Sequence, residues 1–269
     1  MDTSTELFGV TWKTPIVLAP VGSQKAFQPE GEVAAARAAG VKDHLMILST
    51  VTTSSVEDVT AARGGPIWYQ LYPTNTWRIT EALVKRAETA GCPVLVLTVD
   101  LPAGRNTETQ SRFAREDTRD CSTCHPPSLP AFLRRKPMFD GLDLTGVSFF
   151  SPGLTWEFVR RLRDITRMKL VIKGIETRED AALATQHGVD GIIVSNHGGR
   201  AQEGGRATID DQCLDMARYY LSAVAAGDIE PSHRGWNVLA DRYRSTGVCG
   251  NVFCGLHRNL NGRLSGCGF

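Results

Sequence analysis

Short apolar runs alternate with amphipathic segments along most of the chain. Such nearly continuous apolar runs are typical of parallel strands that are covered on both faces. Seven candidate strands follow this pattern: Pro15–Pro20, Leu45–Thr50, Ile67–Tyr72, Val94–Asp100, Leu170–Ile175, Gly191–Asn196 and Trp236–Asp241. Repeated strand–helix alternation over 269 residues predicts one α/β domain, and we expect a (β/α)8 TIM barrel instead of an open doubly wound sheet.

Helix start and stop signals separate these strands. Gly40 is expected to end the first helix, because glycine is favoured just past a helix C-terminus. Ser54, with Glu57 three residues later, forms a capping-box pattern at the start of the second helix. The predicted helices are Glu30–Ala39, Val56–Arg63, Trp77–Ala90, Trp156–Thr166 and Arg178–Gln186.

Two stretches depart from this alternation. Residues 101–152 follow the fourth strand, carry many charges and several prolines, and are interpreted as a lid or loop insertion in the domain 1–269. Residues 211–269 form a degenerate C-terminal part, in which Leu256–Asn261 is a poor buried strand. We therefore expect the barrel to be incomplete at strand 8.

Composition excludes several classes of function. A net charge of +1 gives no bulk attraction to nucleic acid or to an anionic membrane. The N-terminus lacks the pattern of a signal peptide, and no apolar run reaches the roughly 18 residues of a membrane span. Seven irregularly spaced cysteines indicate reduced thiols. We expect a cytoplasmic protein that binds neither nucleic acid nor membrane.

One cysteine motif invites a different interpretation. Cys121, Cys124 and His125 match the C-x-x-C-H pattern of covalent haem attachment. The motif lies in the expected lid, and no second C-x-x-C pair accompanies it in the sequence. We interpret these residues as surface thiols and expect no metal site.

Polar residues cluster at the C-terminal ends of the predicted strands, where barrel enzymes place their active sites. They are Ser49, Thr50, Gln70, Tyr72, Thr98, Asp100, Lys173, Ser195, Asn196, His197 and Arg200. Each alone would be unremarkable in a strand, but a buried lysine such as Lys173 needs a polar or anionic partner. Histidine is a side chain that suits proton abstraction, so His197 is a candidate base, and the guanidinium of Arg200 matches a carboxylate. The pattern suits a substrate with an acidic group beside the bond to be broken.

These motifs together resemble the FMN-dependent α-hydroxy-acid oxidase and dehydrogenase family, which includes glycolate oxidase, lactate oxidase, lactate monooxygenase and mandelate dehydrogenase. The resemblance covers residues 7–210. It is carried by LSTVTTSSVEDV (48–59), YQLY (69–72), LTVDLPAGR (97–105), VIKGIETREDA (171–181) and VSNHGGR (194–200). It implies FMN as the cofactor, and oxidation of a small L-2-hydroxy acid of the lactate, glycolate or mandelate type to the 2-oxo acid.

The resemblance also implies a role for each candidate residue. His197 resembles the catalytic base, Asp100 the carboxylate that orients its imidazole, and Tyr72 a phenol that hydrogen-bonds the substrate. Arg200 and Arg105 resemble the guanidinium groups that bind the substrate carboxylate. FMN contacts are implied for Ala19, Pro20, Val21, Ser49, Gln70, Thr98, Lys173 and Ser195.

The sequence departs from the family at both ends. We expect the family's N-terminal helical segment, which supplies a further substrate-binding tyrosine, to be lacking, and Arg242-Tyr243 replaces a pair of glycines after the seventh strand. A frameshift or a fragment of a longer reading frame would explain the second departure. Two alternatives therefore stay open: an impaired or inactive fragment, and an FMN barrel with another substrate. Oxygen and a quinone are both open as electron acceptor, and a homo-oligomer is one possible assembly.

Overall fold

The computed structural model describes residues 3–101, 108–118, 128–149, 154–199, 201, 208, 237–240, 257–258 and 264–265. An antiparallel hairpin of β1 (Thr5–Leu7) and β2 (Val10–Trp12) comes first. Within the described residues, seven parallel strands then form one sheet in sequence order. These strands are β3 (Val17–Leu18), β4 (Leu45–Ser49), β5 (Trp68–Leu71), β6 (Val94–Thr98), β7 (Lys169–Ile175), β8 (Gly191–Val194) and β9 (Asn237–Ala240).

This strand order confirms the predicted fold class. Strands that pair in sequence order are those of a (β/α) barrel, whereas a doubly wound sheet reverses its order at a switch point. The barrel is incomplete in the described part of the chain, where the sheet ends at β9. Among the described residues, the short strands β10 (His257–Arg258) and β11 (Leu264–Ser265) pair with each other in antiparallel fashion.

The described helices include the five predicted ones, with ends that differ from the prediction by at most three residues, and two more in residues 101–152, where no helix was predicted. They are α1 (Gly31–Lys42), α2 (Val56–Arg63), α3 (Trp77–Thr89), α4 (Glu108–Glu116), α5 (Leu129–Leu133), α6 (Trp156–Ile165) and α7 (Arg178–Gln186). The expectation that Gly40 ends α1 is wrong, because α1 continues to Lys42 and has Asp43 as its C-cap. A Cβ on Gly40 would lie 2.3 Å from the carbonyl oxygen of Arg63, so this glycine allows close helix packing.

The second difference concerns the cap of α2. The N-cap is Ser55, whose Oγ accepts a hydrogen bond from the Asp58 backbone N–H at 3.1 Å, and not Ser54. Ser54 instead donates to the carboxylate of Glu32 at 3.1 Å. A tertiary contact therefore overrides the local capping pattern.

Side chains alternate between the two faces of the sheet, as the period of a strand requires. The outer face packs against the helices through residues such as Met46, Leu95 and Ile172. The inner face forms a second cluster, which is completed by Leu7 and Trp12 of the hairpin. This cluster contains Val17, Leu45, Ile47, Trp68, Val94, Val96, Val171 and Ile193. The barrel interior is therefore a packed apolar core on the side where the strands begin.

Residues 128–149, which belong to the stretch interpreted as a lid or loop insertion, contain helical turns and buried side chains. They include α5 and a short 3-10 turn at Pro137–Phe139. Leu133, Met138 and Phe139 are each at most 2% exposed and belong to the outer core. The apolar positions here follow neither a helical nor a strand period over any length, so the sequence pattern did not indicate their burial.

Candidate active site

The inner face of the sheet changes from apolar to polar in its last layer. Two residues after an inner apolar residue, each strand from β4 to β7 places a polar side chain on the same face, and β8 does so one residue past its end. These side chains are Ser49, Gln70, Thr98, Lys173 and Ser195, all at most 4% exposed. Strand periodicity therefore brings together five of the predicted FMN-contacting residues at the mouth of the barrel.

Gln70 holds neighbouring strand ends together. Its Nε2 donates to Thr98 Oγ1 at 2.9 Å, and its Oε1 accepts from the Thr50 backbone N–H at 3.3 Å. Thr50 Oγ1 donates to the Gln70 carbonyl at 2.6 Å and accepts from the Tyr72 N–H at 2.8 Å. These bonds fix the direction in which the chain carries Tyr72 out of the strand.

Lys173 is a buried cation in the same layer. Its side chain is 5% exposed, Nζ donates to Ser195 Oγ at 2.7 Å, and Nζ lies 3.6 Å from Asp100 Oδ2. The next residue, Gly174, has φ of 106°, and a Cβ there would lie 2.6 Å from Asp100 Cβ. Only glycine therefore lets Asp100 approach β7 closely enough to meet the lysine.

His197 occupies a backbone conformation that is uncommon outside glycine, with φ of 58°. Its N–H donates to Ser195 Oγ at 3.1 Å. The following turn is closed by Asn196, whose Oδ1 accepts from the Gly199 N–H at 2.9 Å and whose carbonyl accepts from Ala201 N–H at 3.0 Å. Such a strained residue at a strand end is a common feature of functional sites.

The imidazole of His197 connects a phenol to a carboxylate. Nδ1 lies 2.9 Å from Asp100 Oδ1, and Nε2 lies 3.2 Å from Tyr72 Oη. Because an ionised carboxylate only accepts hydrogen bonds, Nδ1 carries a proton and donates it to Asp100. In the neutral ring, Nε2 is then the acceptor, and the Tyr72 hydroxyl lies within hydrogen-bond distance of it.

The environment of Asp100 keeps it ionised. Burial of its side chain, which is 2% exposed, favours the neutral acid, but the hydrogen bond from His197 and the charge of Lys173 outweigh it and lower the pKa of Asp100. The carboxylate therefore carries a negative charge at neutral pH. Asp100 is the common partner of the imidazole and the ammonium.

The remaining predicted residues either follow β3 or lie outside the described residues. Ala19, Pro20 and Val21 follow β3 at the same end of the sheet, and Ala19 packs against the inner core. Arg105 and Arg200 lie outside the described residues, as do Cys121, Cys124 and His125. In the described part of the chain, no group of three side chains could hold a metal ion. Nor does any helix there have the length and apolar character to cross a membrane.

Two functional contributions were missed from the sequence. Gly174 has a recognisable signal, since glycine inside a strand often marks a close backbone approach. Phe149 contacts the ring of Tyr72, with centroids 5.8 Å apart, and supports the phenol from the side of residues 128–149. No sequence periodicity pointed to Phe149.

Comparison with known proteins identifies relatives of the chain. The chain is 37% identical over 236 residues to the 2-hydroxyacid oxidase of Dictyostelium discoideum, covering 85% of this chain and 57% of that protein. It is 39% identical over 224 residues to the glycolate oxidase of Spinacia oleracea, covering 78% of this chain and 57% of that protein. The chain thus spans little more than half the length of these relatives.

Solved structures of oxidases also resemble this chain. A putative lactate oxidase of Pediococcus acidilactici superposes with a TM-score of 0.67 at 30% identity, over 82% of this chain and 57% of that one. A mandelate oxidase superposes with a TM-score of 0.65 at 33% identity, over 84% and 60%. Residues 1–219 match the family described as FMN-dependent dehydrogenase. The family resemblance and its FMN cofactor are thereby confirmed, and the chain belongs to the FMN-dependent dehydrogenase family.

Proposed function

We propose that this chain binds FMN at the mouth of its barrel and oxidises a small L-2-hydroxy acid to the 2-oxo acid. The observation that carries the proposal is the line of contacts from Tyr72 through His197 and Asp100 to Lys173. The names of the relatives, which are glycolate, lactate, mandelate and 2-hydroxyacid oxidases, support the substrate class.

The polar layer fits the flavin ring chemically. A flat heterocycle with N–H and C=O groups at its edge needs donors and acceptors at one level, and the layer supplies the amide of Gln70, the hydroxyls of Ser49, Thr98 and Ser195, and the ammonium of Lys173. Lys173 is the group that would stabilise negative charge on the ring. When bound, FMN would accept the two electrons and one of the two protons that the substrate loses, and His197 would take the other proton.

The side chains of this protein handle the proton. In the tautomer set by Asp100, Nε2 is the unprotonated nitrogen of His197 and would accept a proton from the substrate. The ring then becomes an imidazolium, which the ionised Asp100 stabilises. The Tyr72 hydroxyl, 3.2 Å from the same nitrogen, hydrogen-bonds the substrate oxygen and holds it beside the base.

Two arginines would bind the substrate carboxylate. Arg200 directly follows the turn that carries His197, and Arg105 follows Asp100 by five positions in the sequence. A guanidinium on each side of a carboxylate fixes its orientation through paired N–H donors. The assignment of both arginines rests on the family motif.

Oxygen is favoured over a quinone as the electron acceptor because the relatives are named oxidases. A cytoplasmic location and a homo-oligomer stay predictions.

The test is direct product analysis. The purified chain, loaded with FMN, is incubated in air with L-lactate, D-lactate, glycolate or L-mandelate, and 2-oxo acid and hydrogen peroxide are quantified. We expect both products from at least one acid and from the L- but not the D-isomer. A chain that retains FMN and forms no product from any acid would refute the proposal and favour an inactive fragment.

A further inference from the structure

Lys136 is a buried cation that lies outside the catalytic cluster. It stands between α5 and the 3-10 turn at Pro137–Phe139 and is 3% exposed. Its Nζ donates to Ser23 Oγ at 2.6 Å and lies 4.4 Å from the ring centroid of Phe132. Burying an ammonium without polar partners is costly, so the hydrogen bond to Ser23 offsets part of the desolvation cost of Lys136.

Ser23 belongs to the loop that follows β3 and is itself strained. Its φ of 58° and ψ of 36° lie in the left-handed region, where a serine needs support from its surroundings. Its N–H donates to the Val51 carbonyl at 3.0 Å. A Cβ on Gly22 would lie 2.4 Å from Val51 Cγ2, so the loop is pressed against the loop after β4.

A buried carboxylate reinforces the same two loops. Glu32 is 0% exposed and accepts from the backbone N–H of Gln24 at 3.1 Å and of Thr53 at 2.9 Å. It also accepts from the hydroxyls of Thr53 at 2.7 Å and Ser54 at 3.1 Å. Burial favours the neutral acid, but these bonds outweigh it and lower the pKa of Glu32, so the group is ionised. Its negative charge opposes the effect of burial, which lowers the pKa of Lys136.

We propose that Lys136 is a positioning residue for the FMN site, which acts through Ser23 on the segment Ala19–Val21. This segment directly precedes Gly22 and Ser23 and provides three of the predicted FMN contacts. Through Lys136, the packing of residues 128–149 against the barrel therefore helps to fix the backbone position of the predicted FMN-contacting segment. The inference rests on FMN binding in the proposed function and does not depend on turnover.

A double-mutant cycle on FMN affinity tests this coupling. The Kd of the FMN-free chain for FMN is measured by quenching of flavin fluorescence in the parent, Lys136→Met, Ser23→Ala and the double variant. Methionine retains most of the buried side-chain volume without the charge. Each single variant is expected to raise Kd about tenfold, as for loss of one charge-assisted hydrogen bond. The Kd of the double variant is expected to be no higher than the higher of the two single-variant Kd values.

A matched control separates positioning from general destabilisation. Lys85 on α3 is half exposed and pairs with Glu88, so Lys85→Met should leave Kd unchanged. Unchanged Kd in Lys136→Met, even with a lower Tm, would overturn the proposal. So would strictly additive effects in the double variant. Ser23→Ala keeps the test readable if Lys136→Met fails to fold.

Hydrogen exchange gives a readout that needs no cofactor. In the FMN-free chain, Lys136→Met should speed amide exchange in peptides covering residues 19–27 and leave α3 peptides unchanged. Uniform acceleration, or none, would contradict the proposal. If the parent chain binds FMN but forms no 2-oxo acid, the proposed function fails while this inference is still decided by Kd. If it binds no FMN, the proposed function fails and the positioning role falls with it, whatever exchange shows about the loop.

Discussion

Replacing Asp100 by asparagine is the perturbation that the structure makes most specific. The two side chains have nearly the same shape, so the close approach to Gly174 is preserved while the negative charge is removed. His197 loses the anion at 2.9 Å that stabilises its protonated form, and Lys173 loses the anion at 3.6 Å. Asp100→Asn should therefore affect both turnover and stability.

The magnitudes follow from these two contacts. A hydrogen bond between a carboxylate and an imidazolium contributes about 1.5–3 kcal/mol, which corresponds to about a 10- to 150-fold loss of kcat. Breaking a buried ion pair by removing one partner costs about 3–5 kcal/mol. Because the Asp100–Lys173 contact is longer than a hydrogen bond and Lys173 keeps Ser195, we expect the lower end, about 3 kcal/mol.

The assay measures kcat for the preferred acid and the free energy of unfolding for the same protein samples. Asp190→Asn is the matched control, since Asp190 pairs with Lys169 at 3.1 Å and accepts from the Leu170 N–H at 2.9 Å, at the end of β7 opposite to the site. It should lower stability and leave kcat within about twofold, as for a site that contacts no reacting group. Unchanged kcat in Asp100→Asn, or an equal loss in Asp190→Asn, would refute the role of Asp100.

Three further predictions concern the same cluster. Gly174→Ala should lower both kcat and stability because its Cβ collides with Asp100, whereas Gly64→Ala, with φ of 72° and open space around it, should cost only about 1–2 kcal/mol and leave kcat unchanged. Tyr72→Phe should lower kcat about tenfold with FMN affinity unchanged, because it removes one hydroxyl next to His197; an unchanged kcat would contradict this. Finally, the pKa of Asp100 is lowered in the folded chain, so the ionised carboxylate stabilises the fold above its unfolded pKa, and this stabilisation is lost as the pH falls through its folded pKa. The difference in Tm between the parent and Asp100→Asn should therefore shrink from about pH 6 to about pH 3. A difference in Tm that stays constant over this range would contradict the prediction.

The sheet and its polar layer could be predicted from the sequence because both follow strand periodicity. Runs such as 94–97 are apolar on both faces of the sheet. The first polar residue on the inner face of this strand, Thr98, lies two positions after Val96. The same spacing places Lys173 two positions after Val171. The register of parallel strands then brings these positions together without any further information.

Features set by contacts between distant segments could not be predicted in this way. Gly40 resembles a helix terminator, but its place inside α1 depends on the Arg63 carbonyl of another helix. Ser54 resembles a cap, but a buried carboxylate, Glu32, takes its hydroxyl. Lys136 lies in a segment without periodicity, and nothing near it in sequence indicates that its partner is Ser23.

Anaerobic bleaching of bound flavin tests the central claim most directly. The FMN-loaded chain and its His197→Gln variant are mixed with L-lactate, glycolate or L-mandelate without oxygen, and the flavin absorbance near 450 nm is followed. The account predicts that at least one acid bleaches the flavin of the parent. In the variant, the bleaching rate should fall by a factor of about 100 or more, as for loss of a general base. Flavin that stays oxidised in the parent with every acid, or that bleaches equally fast in both proteins, would contradict it.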